Sequence, residues 1–266
     1  MTRPDARPSA PAPTAGGVAR RALTTLLAKE ASLWRRGHAW WSQPVLFVGL
    51  TVAALALPLV ALRDVFAAEP GGVTAGAASV VSGLLTTGAA LAAVLWFQNT
   101  LIGERQSGTA AWILSKPVPR WTVPAAKFIV HGGLVSLSAV ILPGLAAWGV
   151  LRAALPSAPD PGPYLAALAV LVLHTLVYAA ATLALGAWTD VRGLVVALPL
   201  ASLLGGDLIL SLVPQAAQVT PWLLGRGAGL LMQGAPFPVP TALAATAVLA
   251  VALLGLAMAA FGRRDL

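Results

Sequence analysis

The sequence is dominated by long hydrophobic runs that contain no charged residue. Several runs reach about 18 residues or more, the length at which a helix can cross the hydrocarbon core of a membrane. Hydrophobic residues make up 58% of the 266 residues and charged residues 10%, with a mean hydropathy of +0.83. An ordinary soluble domain carries about 25% charge. The runs are continuous and rich in Leu and Ala rather than alternating, which argues against a membrane β-barrel. We therefore predict an all-α, polytopic membrane protein.

Six transmembrane helices are predicted from these runs and from the turn signals between them. The predicted spans cover approximately residues 44–62, 73–102, 128–151, 164–187, 194–213 and 241–261. Pro143 and Gly144 predict a kink in the third span. The Pro- and Gly-rich segments 152–163 and 214–240 are predicted to be external loops.

Basic residues are distributed unevenly among the predicted loops. The net charge is +8, and only Arg63, Arg152 and Arg226 fall outside the N-terminal segment, the two inner loops and the C-terminal end. Loops rich in Lys and Arg remain on the cytoplasmic side of a membrane. The skew therefore predicts that both termini are cytoplasmic, and it accounts for the positive charge without nucleic acid as a partner.

The N-terminal part of the chain divides into two segments before the six-helix transmembrane domain, which is predicted over residues 43–266. Residues 1–17 are rich in Pro, Ala and Gly and are predicted to form a disordered cytoplasmic tail. Residues 18–42 carry an amphipathic pattern and are predicted to lie as a helix at the membrane surface. Glu30 projects on the apolar side of this helix. It either pairs with a basic residue of the following bundle or reaches water at the rim.

The longest patterned polar interruption between two predicted spans is the segment 103–128. A short apolar run, residues 110–114, can form about one helical turn, and Pro117 and Pro119 then forbid helix. Thr122 can cap a new helix whose first turn tolerates Pro124. The segment is therefore predicted to form a helix, a rigid elbow and a second helix, with the first helix lying on the membrane surface.

This segment resembles the first cytoplasmic loop of ABC-2 type permeases, the membrane subunits of a class of ATP-driven transporters. The matching residues are Glu104, Ser107, Gly108, Thr109, Ile113, Leu114, Ser115, Lys116, Pro117, Arg120 and Lys127. The resemblance implies a cytoplasmic coupling helix between spans 2 and 3 that rests on a separate ATP-binding subunit. The implied coupling residues are Glu104, Ser107, Gly108, Thr109, Leu114, Ser115, Lys116, Pro117 and Arg120.

Two further stretches are similar to the same family. The Lys29–Glu30 pair resembles the pair found in the N-terminal elbow helix of these permeases, and Phe261 begins an F-x-R-R-D-L ending that is common in them. The resemblance implies a permease subunit that exports its substrate across the plasma (inner) membrane and contacts membrane lipid. It also implies pairing with a like or related permease, and no enzymatic activity or cofactor of its own. No substrate can be inferred from helices lined with Ala, Leu and Val.

The chemistry-bearing residues inside the predicted spans are sparse. Residues 103–109 lack the Lys of a phosphate-binding loop, the chain has no Cys, and its three His residues lack metal-ligand spacing. Ser82–Gly83 and His174 could form an intramembrane Ser–His dyad, although Ser and Gly are routine packing residues in membrane helices. This pair keeps open an alternative function, an intramembrane hydrolase or membrane-assembly factor that acts without ATP.

Asp207 is the one acidic residue that falls well inside a predicted span. Exposing it to lipid would cost about 2.5–3.5 kcal/mol, so its side chain is expected to face protein or a water-filled cavity. We predict that Asp207 lines the translocation path. The other interpretation is that the helix bends at Gly205 and Gly206 and that Asp207 already lies near the outer surface.

Overall fold

A computed structural model describes residues 15–109, 115, 118–156 and 158–263. Within these ranges all regular structure is helical, and six helical stretches are long and apolar enough to cross a membrane. The prediction of an all-α polytopic membrane protein with six spans is thereby confirmed.

Eleven helices define the described part of the chain, and eight of them form the spans. In chain order they are α1 (Ala15–Arg36), α2 (Ala39–Ala54), α3 (Arg63–Ala68), α4 (Gly72–Phe97), α5 (Ile102–Gln106), α6 (Thr122–Ser136), α7 (Leu142–Ala154), α8 (Pro161–Trp188), α9 (Arg192–Leu212), α10 (Leu224–Met232) and α11 (Pro240–Arg263). The six spans are Ala39–Ala61, Gly72–Gln106, Thr122–Ala154, Pro161–Trp188, Arg192–Leu212 and Pro240–Arg263. Helices α1, α3 and α10 lie outside these spans.

The N-terminal helix differs in extent from the sequence prediction. It begins at Ala15, inside the segment 1–17 that was predicted to be disordered, and residues 1–14 of that segment lie outside the described residues. It ends at Arg36, so residues 39–42 of the predicted surface helix belong instead to the start of the first span. Helix α1 packs along α6, and Leu26 is buried in the main hydrophobic core.

Two of the spans change locally to a π-helical turn next to a proline. Pro58 lies inside the turn Leu57–Ala61 of the first span, and Pro143 closely follows the turn Leu137–Ile141 of the third. Proline lacks the N–H that an α-helix needs, and its ring crowds the preceding turn. A wider turn relieves that crowding without ending the helix. The irregularity predicted near Pro143 and Gly144 therefore takes the form of a π turn.

The start of α6 follows the predicted position but not the predicted cap. The helix begins at Thr122 with Pro124 in its first turn. The Thr122 hydroxyl donates a hydrogen bond to the carbonyl of Pro119 (2.6 Å) instead of accepting one from a backbone N–H of the helix. Thr122 thus ties the elbow to the helix without capping it.

Helix α8 is the centre of the bundle. It is the most buried of the six spans, and it packs against α4, α6, α9, α10 and α11. Its inner surface contains small residues such as Ala179, Ala180 and Ala187, which are fully or almost fully buried. Small side chains allow neighbouring backbones to approach closely, which favours helix association inside a membrane.

The segment 214–240, predicted to be a loop, contains a packed helix. Two short 3₁₀ turns, Pro214–Gln218 and Pro221–Leu223, lead into α10, which packs against α4 and α8. A Cβ placed on Gly225 would lie 2.5 Å from Cγ2 of Thr86, and one placed on Gly229 would lie 2.7 Å from Oγ of Ser82. Glycine therefore lets α10 press against α4, and the Gly-rich composition that predicted a loop reflects close packing instead.

Candidate functional site

Five ionisable side chains from three helices form a buried group where the second span meets the loop that follows it. We call this group the ion cluster. Its members are Lys29 and Glu30 of α1, Glu104 of α5, and Lys127 and His131 of α6. Glu30 and Lys127 are each 4% exposed. Charged side chains are seldom so deeply buried unless they are paired.

The four charged members of the ion cluster form a closed ring of ion pairs. The Lys127 ammonium lies 3.3 Å from Oε1 of Glu30 and 3.1 Å from Oε1 of Glu104. The Lys29 ammonium lies 3.0 Å from Oε1 of Glu104 and 3.5 Å from Oε1 of Glu30. Each cation therefore touches both carboxylates, and the four charges sum to zero.

The hydrogen bonds of His131 define its tautomer. The indole N–H of Trp96, which can only donate, lies 2.9 Å from Nδ1 of His131. Nδ1 is therefore the acceptor, and the ring proton is on Nε2, which lies 3.0 Å from Oε2 of Glu30. A neutral His131 thus donates to Glu30 and completes its hydrogen bonding, and Trp96 extends the network to α4.

Electrostatics at the two α1 residues favour their charged forms. Burial alone would raise the pKa of Glu30, but the hydrogen bond from His131 and the charges of Lys127 and Lys29 outweigh it and lower that pKa to about 2. Burial would likewise lower the pKa of Lys29, but the carboxylates of Glu104 and Glu30 outweigh it and raise that pKa. Glu30 is therefore a carboxylate at neutral pH, and it pairs with the bundle as the first of its two interpretations requires.

A second polar connection joins α5 to the C-terminal end of α8 and to the turn between α8 and α9. The Nη2 atom of Arg105 donates to Oδ1 of Asp190 (2.6 Å) and to the carbonyl of Gly186 (2.7 Å). Arg192 donates in turn to Oε1 of Gln106. Two loops that the basic-residue skew assigns to the same side of the membrane are thereby held together.

The predicted coupling residues at the start of the loop lie close together around α5. Glu104 belongs to the ion cluster and pairs with Lys29 and Lys127 of its own chain. The hydroxyls of Ser107 and Thr109 lie 2.9 Å apart. Gly108, between them, has a φ of +72°, a conformation that glycine adopts without strain.

The remaining predicted coupling residues lie farther along the loop. Ser115 is exposed, and Arg120 donates a hydrogen bond to the carbonyl of Gly262 near the end of α11 (3.2 Å). Leu114, Lys116 and Pro117 lie outside the described residues, as do Ala110 to Ile113. The predicted helix of residues 110–114 and the first proline of the predicted elbow, Pro117, therefore lie outside the described residues.

A polar cavity of about 370 Å³ lies between α4, α8, α9 and α10, and we call it the polar cavity. Asp207 lines it near the C-terminal end of α9, where the helix runs unbroken through Gly205 and Gly206. Asp207 is exposed. It therefore faces a cavity, as the first interpretation requires, and the bend at Gly205 and Gly206 on which the second interpretation depends is not present in α9, although Asp207 does lie in the last turns of that helix.

Ser82 and His174 also line the polar cavity, but they are not arranged as a catalytic dyad. The hydroxyl of Ser82 donates to the carbonyl of Ser79 (3.2 Å), whereas a nucleophile must be within hydrogen-bond reach of its base. The His174 ring stacks at an angle on Tyr178, with centroids 4.9 Å apart. Within the described residues, nothing orients the imidazole towards Ser82.

Sequence reasoning missed Trp96 and His131 as part of the network. A signal was present, because Lys127 and His131 are four residues apart and therefore lie on one face of a helix. The polar cavity left no such signal, since its walls come from four separated segments. No protein-family model matches the chain, and no curated protein was found to match it.

Proposed function

We propose that the chain is the permease subunit of an ATP-driven exporter of the ABC-2 type and that it works with a separate ATP-binding subunit. The resemblance of residues 103–128 to the coupling loop of these permeases and the six apolar helices support the proposal. The observation that carries it is the ion cluster. A loop pushed by a partner can move transmembrane helices only if its base is firmly joined to them.

The ion cluster makes such a joint. Glu104 stands where the loop begins, and its carboxylate touches cations from α1 and from α6. A displacement of α5 would therefore carry the surface helix and the third span with it. Breaking a buried ion pair costs about 3–5 kcal/mol. Movement of α5 alone, without α1 and the third span, is therefore unfavourable. The Arg105–Asp190 pair extends the same connection to the end of α8.

The proposed assembly contains two permeases and their ATP-binding subunits in the plasma (inner) membrane, with both termini cytoplasmic. Helix α9 is compatible with a lipid or permease neighbour, because Leu204, Leu208 and Leu212 are 72%, 65% and 74% exposed. The alternative of an intramembrane hydrolase is not favoured, because Ser82 donates to its own helix and not to His174.

The proposal is tested with a substitution that alters only the surface offered to a partner. The tagged full-length chain is purified from the membranes of its native cells, and vanadate-sensitive ATP hydrolysis of the eluate is measured. Asn tolerates a positive φ, and no atom of the described residues lies within 4 Å of a Cβ built on Gly108. Gly108→Asn should therefore fold normally, yet lower the co-purifying ATPase activity about tenfold, the equivalent of about 1.4 kcal/mol of contact energy.

The matched control is Gly234→Asn. Gly234 has a φ of +78° and equally open surroundings, but it lies in the segment predicted to be external. It should leave the ATPase activity unchanged. The proposal is wrong if no subunit with a phosphate-binding loop co-purifies with the unmodified chain, or if the two variants lose activity equally.

A further inference from the structure

The polar cavity has an apolar neighbour. A groove of about 370 Å³, which we call the apolar groove, is lined by α8, α9, α11 and the 3₁₀ turn before α10. Both spaces are bounded by Tyr178 and Trp222. Consecutive residues of α9 also divide between them, since Ser202 faces the groove and Leu203 the cavity. The two spaces are therefore separated by little more than one layer of side chains.

The rim of the polar cavity carries charges of both signs. Asp207 of α9 and Arg226 of α10 line it, and both side chains are exposed. Within the described residues neither forms a salt bridge. A ligand with separate positive and negative groups can complement both charges at once. A ligand with a single charge would meet one like charge at this rim.

The interior of the polar cavity offers hydrogen-bond acceptors. Thr86 and Ser82 donate their hydroxyl protons to carbonyls of their own helix, at 2.6 and 3.2 Å. Their oxygens therefore keep lone pairs for other donors. Gln233 adds an amide at the edge. A polar head group would find partners here that a hydrocarbon chain would not.

The apolar groove suits a hydrocarbon chain. Most of its lining side chains are aliphatic, among them Val177, Ala181, Leu249 and Leu253. Burying a hydrocarbon chain in such a groove removes apolar surface from water, which favours binding. Tyr178 and Trp222, which border both spaces, suit a boundary between them. Tyr and Trp side chains combine an apolar ring with a polar edge and favour boundaries between polar and apolar environments.

We propose that the polar cavity and the apolar groove together bind a zwitterionic amphiphile. Its cationic group lies towards Asp207, its anionic group lies towards Arg226, and its hydrocarbon chain passes Tyr178 and Trp222 into the apolar groove. A soluble zwitterion would occupy the cavity alone, and a bare hydrocarbon would occupy the groove alone. This binding site does not depend on ATP-driven transport, because the chain itself forms both spaces.

The test uses the full-length chain in a neutral maltoside detergent and a lysophosphatidylcholine that carries a diazirine at the end of its acyl chain. After illumination, the labelled peptides are identified by mass spectrometry. Label is expected in the peptides that line the apolar groove, in α8 and α11. A diazirine fatty alcohol of the same length should give at least fivefold less label there, because it lacks both charges.

Two substitutions test the two halves of the site. Asp207→Asn removes one charge from an exposed side chain and should lower the labelling about tenfold, because the cationic group of the ligand loses its charged partner. Asp64→Asn, at an exposed position on α3, is its control and should have no effect. Ala181→Trp fills the apolar groove and should also reduce labelling, whereas Ala201→Trp, on an exposed part of α9 outside both spaces, should not.

The outcomes separate the possible ligands. Equal labelling by the alcohol and by the lysolipid, unchanged in Asp207→Asn, would overturn the proposal in favour of unspecific hydrocarbon contact. Free phosphocholine that competes at the concentrations at which the lysolipid binds would show that the acyl chain of the lysolipid contributes nothing to its affinity. That result would assign the polar cavity to a soluble zwitterion and would equally overturn the proposal.

Discussion

The ion cluster predicts how firmly α1 is held to the bundle, and Glu30→Gln is the substitution that measures it. Glutamine keeps the shape of the side chain and can still accept a hydrogen bond from His131. It removes the negative charge that lies 3.3 Å from the ammonium of Lys127 and 3.5 Å from that of Lys29. Two cations would then share the single carboxylate of Glu104, and the buried group would carry a net positive charge.

The expected loss is about 3 kcal/mol in the docking free energy of α1. Removing the charge of one partner in a buried ion pair costs about 3–5 kcal/mol. The lower end of that range applies because Lys127 keeps Glu104 at 3.1 Å and because the Lys29 side chain is 34% exposed and can turn towards water. Each 1.4 kcal/mol corresponds to a factor of ten. The undocked fraction of α1 should therefore rise about a hundredfold.

The absence of cysteine from the sequence provides a clean assay. Leu26→Cys places one thiol on the buried face of α1, and its rate of reaction with a maleimide reports the undocked fraction. Because Leu26→Cys is present in every protein compared, its own cost cancels. Glu69→Gln, at an exposed site, is the control and should leave the rate unchanged. A rate that rises less than threefold in Glu30→Gln would refute a structural role for the ion cluster.

Three further predictions concern the pH dependence of α1 docking, the packing of α10 and the orientation of the protein in the membrane. The pKa of Glu30 falls from 4.5 to about 2 on folding, so its contribution to docking is complete above about pH 4.5 and should be lost as the pH drops towards 2; labelling of the thiol at position 26 with a pyridyl disulfide, which still reacts in acid, at rates taken relative to those of a free thiol at each pH, checks this. Gly225→Ala should lower the free energy of unfolding by about 1–3 kcal/mol through overpacking against Thr86, whereas Gly49→Ala, with open space around it, should not; equilibrium unfolding followed by circular dichroism compares them. Single cysteines at Ser115 and Ser157 should react with an impermeant thiol reagent from opposite sides of the membrane, and labelling of Ser115→Cys from outside would reverse the predicted orientation.

The number and position of the spans could be predicted from the sequence because membrane thickness imposes a length on every apolar run. The ends of the first and third spans were placed within three residues and their starts within six, although Pro58 and Pro143 interrupt their regular hydrogen bonding. The pairing of Glu30 was one of two open interpretations. Its apolar-side position predicted a partner in the bundle, but not that the partners would be Lys127 and His131.

The packing of the helices could not be predicted in the same way. Inside a membrane the core and the lipid-facing surface are equally apolar, so hydropathy does not distinguish the central α8 from the largely exposed α9. The glycines of α10 predicted a loop because their packing partners, Thr86 and Ser82, lie far away in sequence. The polar cavity depends on the same long-range contacts, which is why Ser82, His174 and Asp207 could each be singled out from the sequence but not placed in one cavity.

The order of the ion-cluster residues along the chain has a consequence for biosynthesis. Lys29, Glu30 and Glu104 are all made before Lys127. Lys127 lies near the start of the third span, and a charge within a hydrophobic segment opposes insertion of that segment into a membrane. By the time the third span leaves the ribosome, both carboxylates have already been synthesised on earlier segments. Partners for the Lys127 ammonium are therefore available at the membrane as soon as the third span inserts.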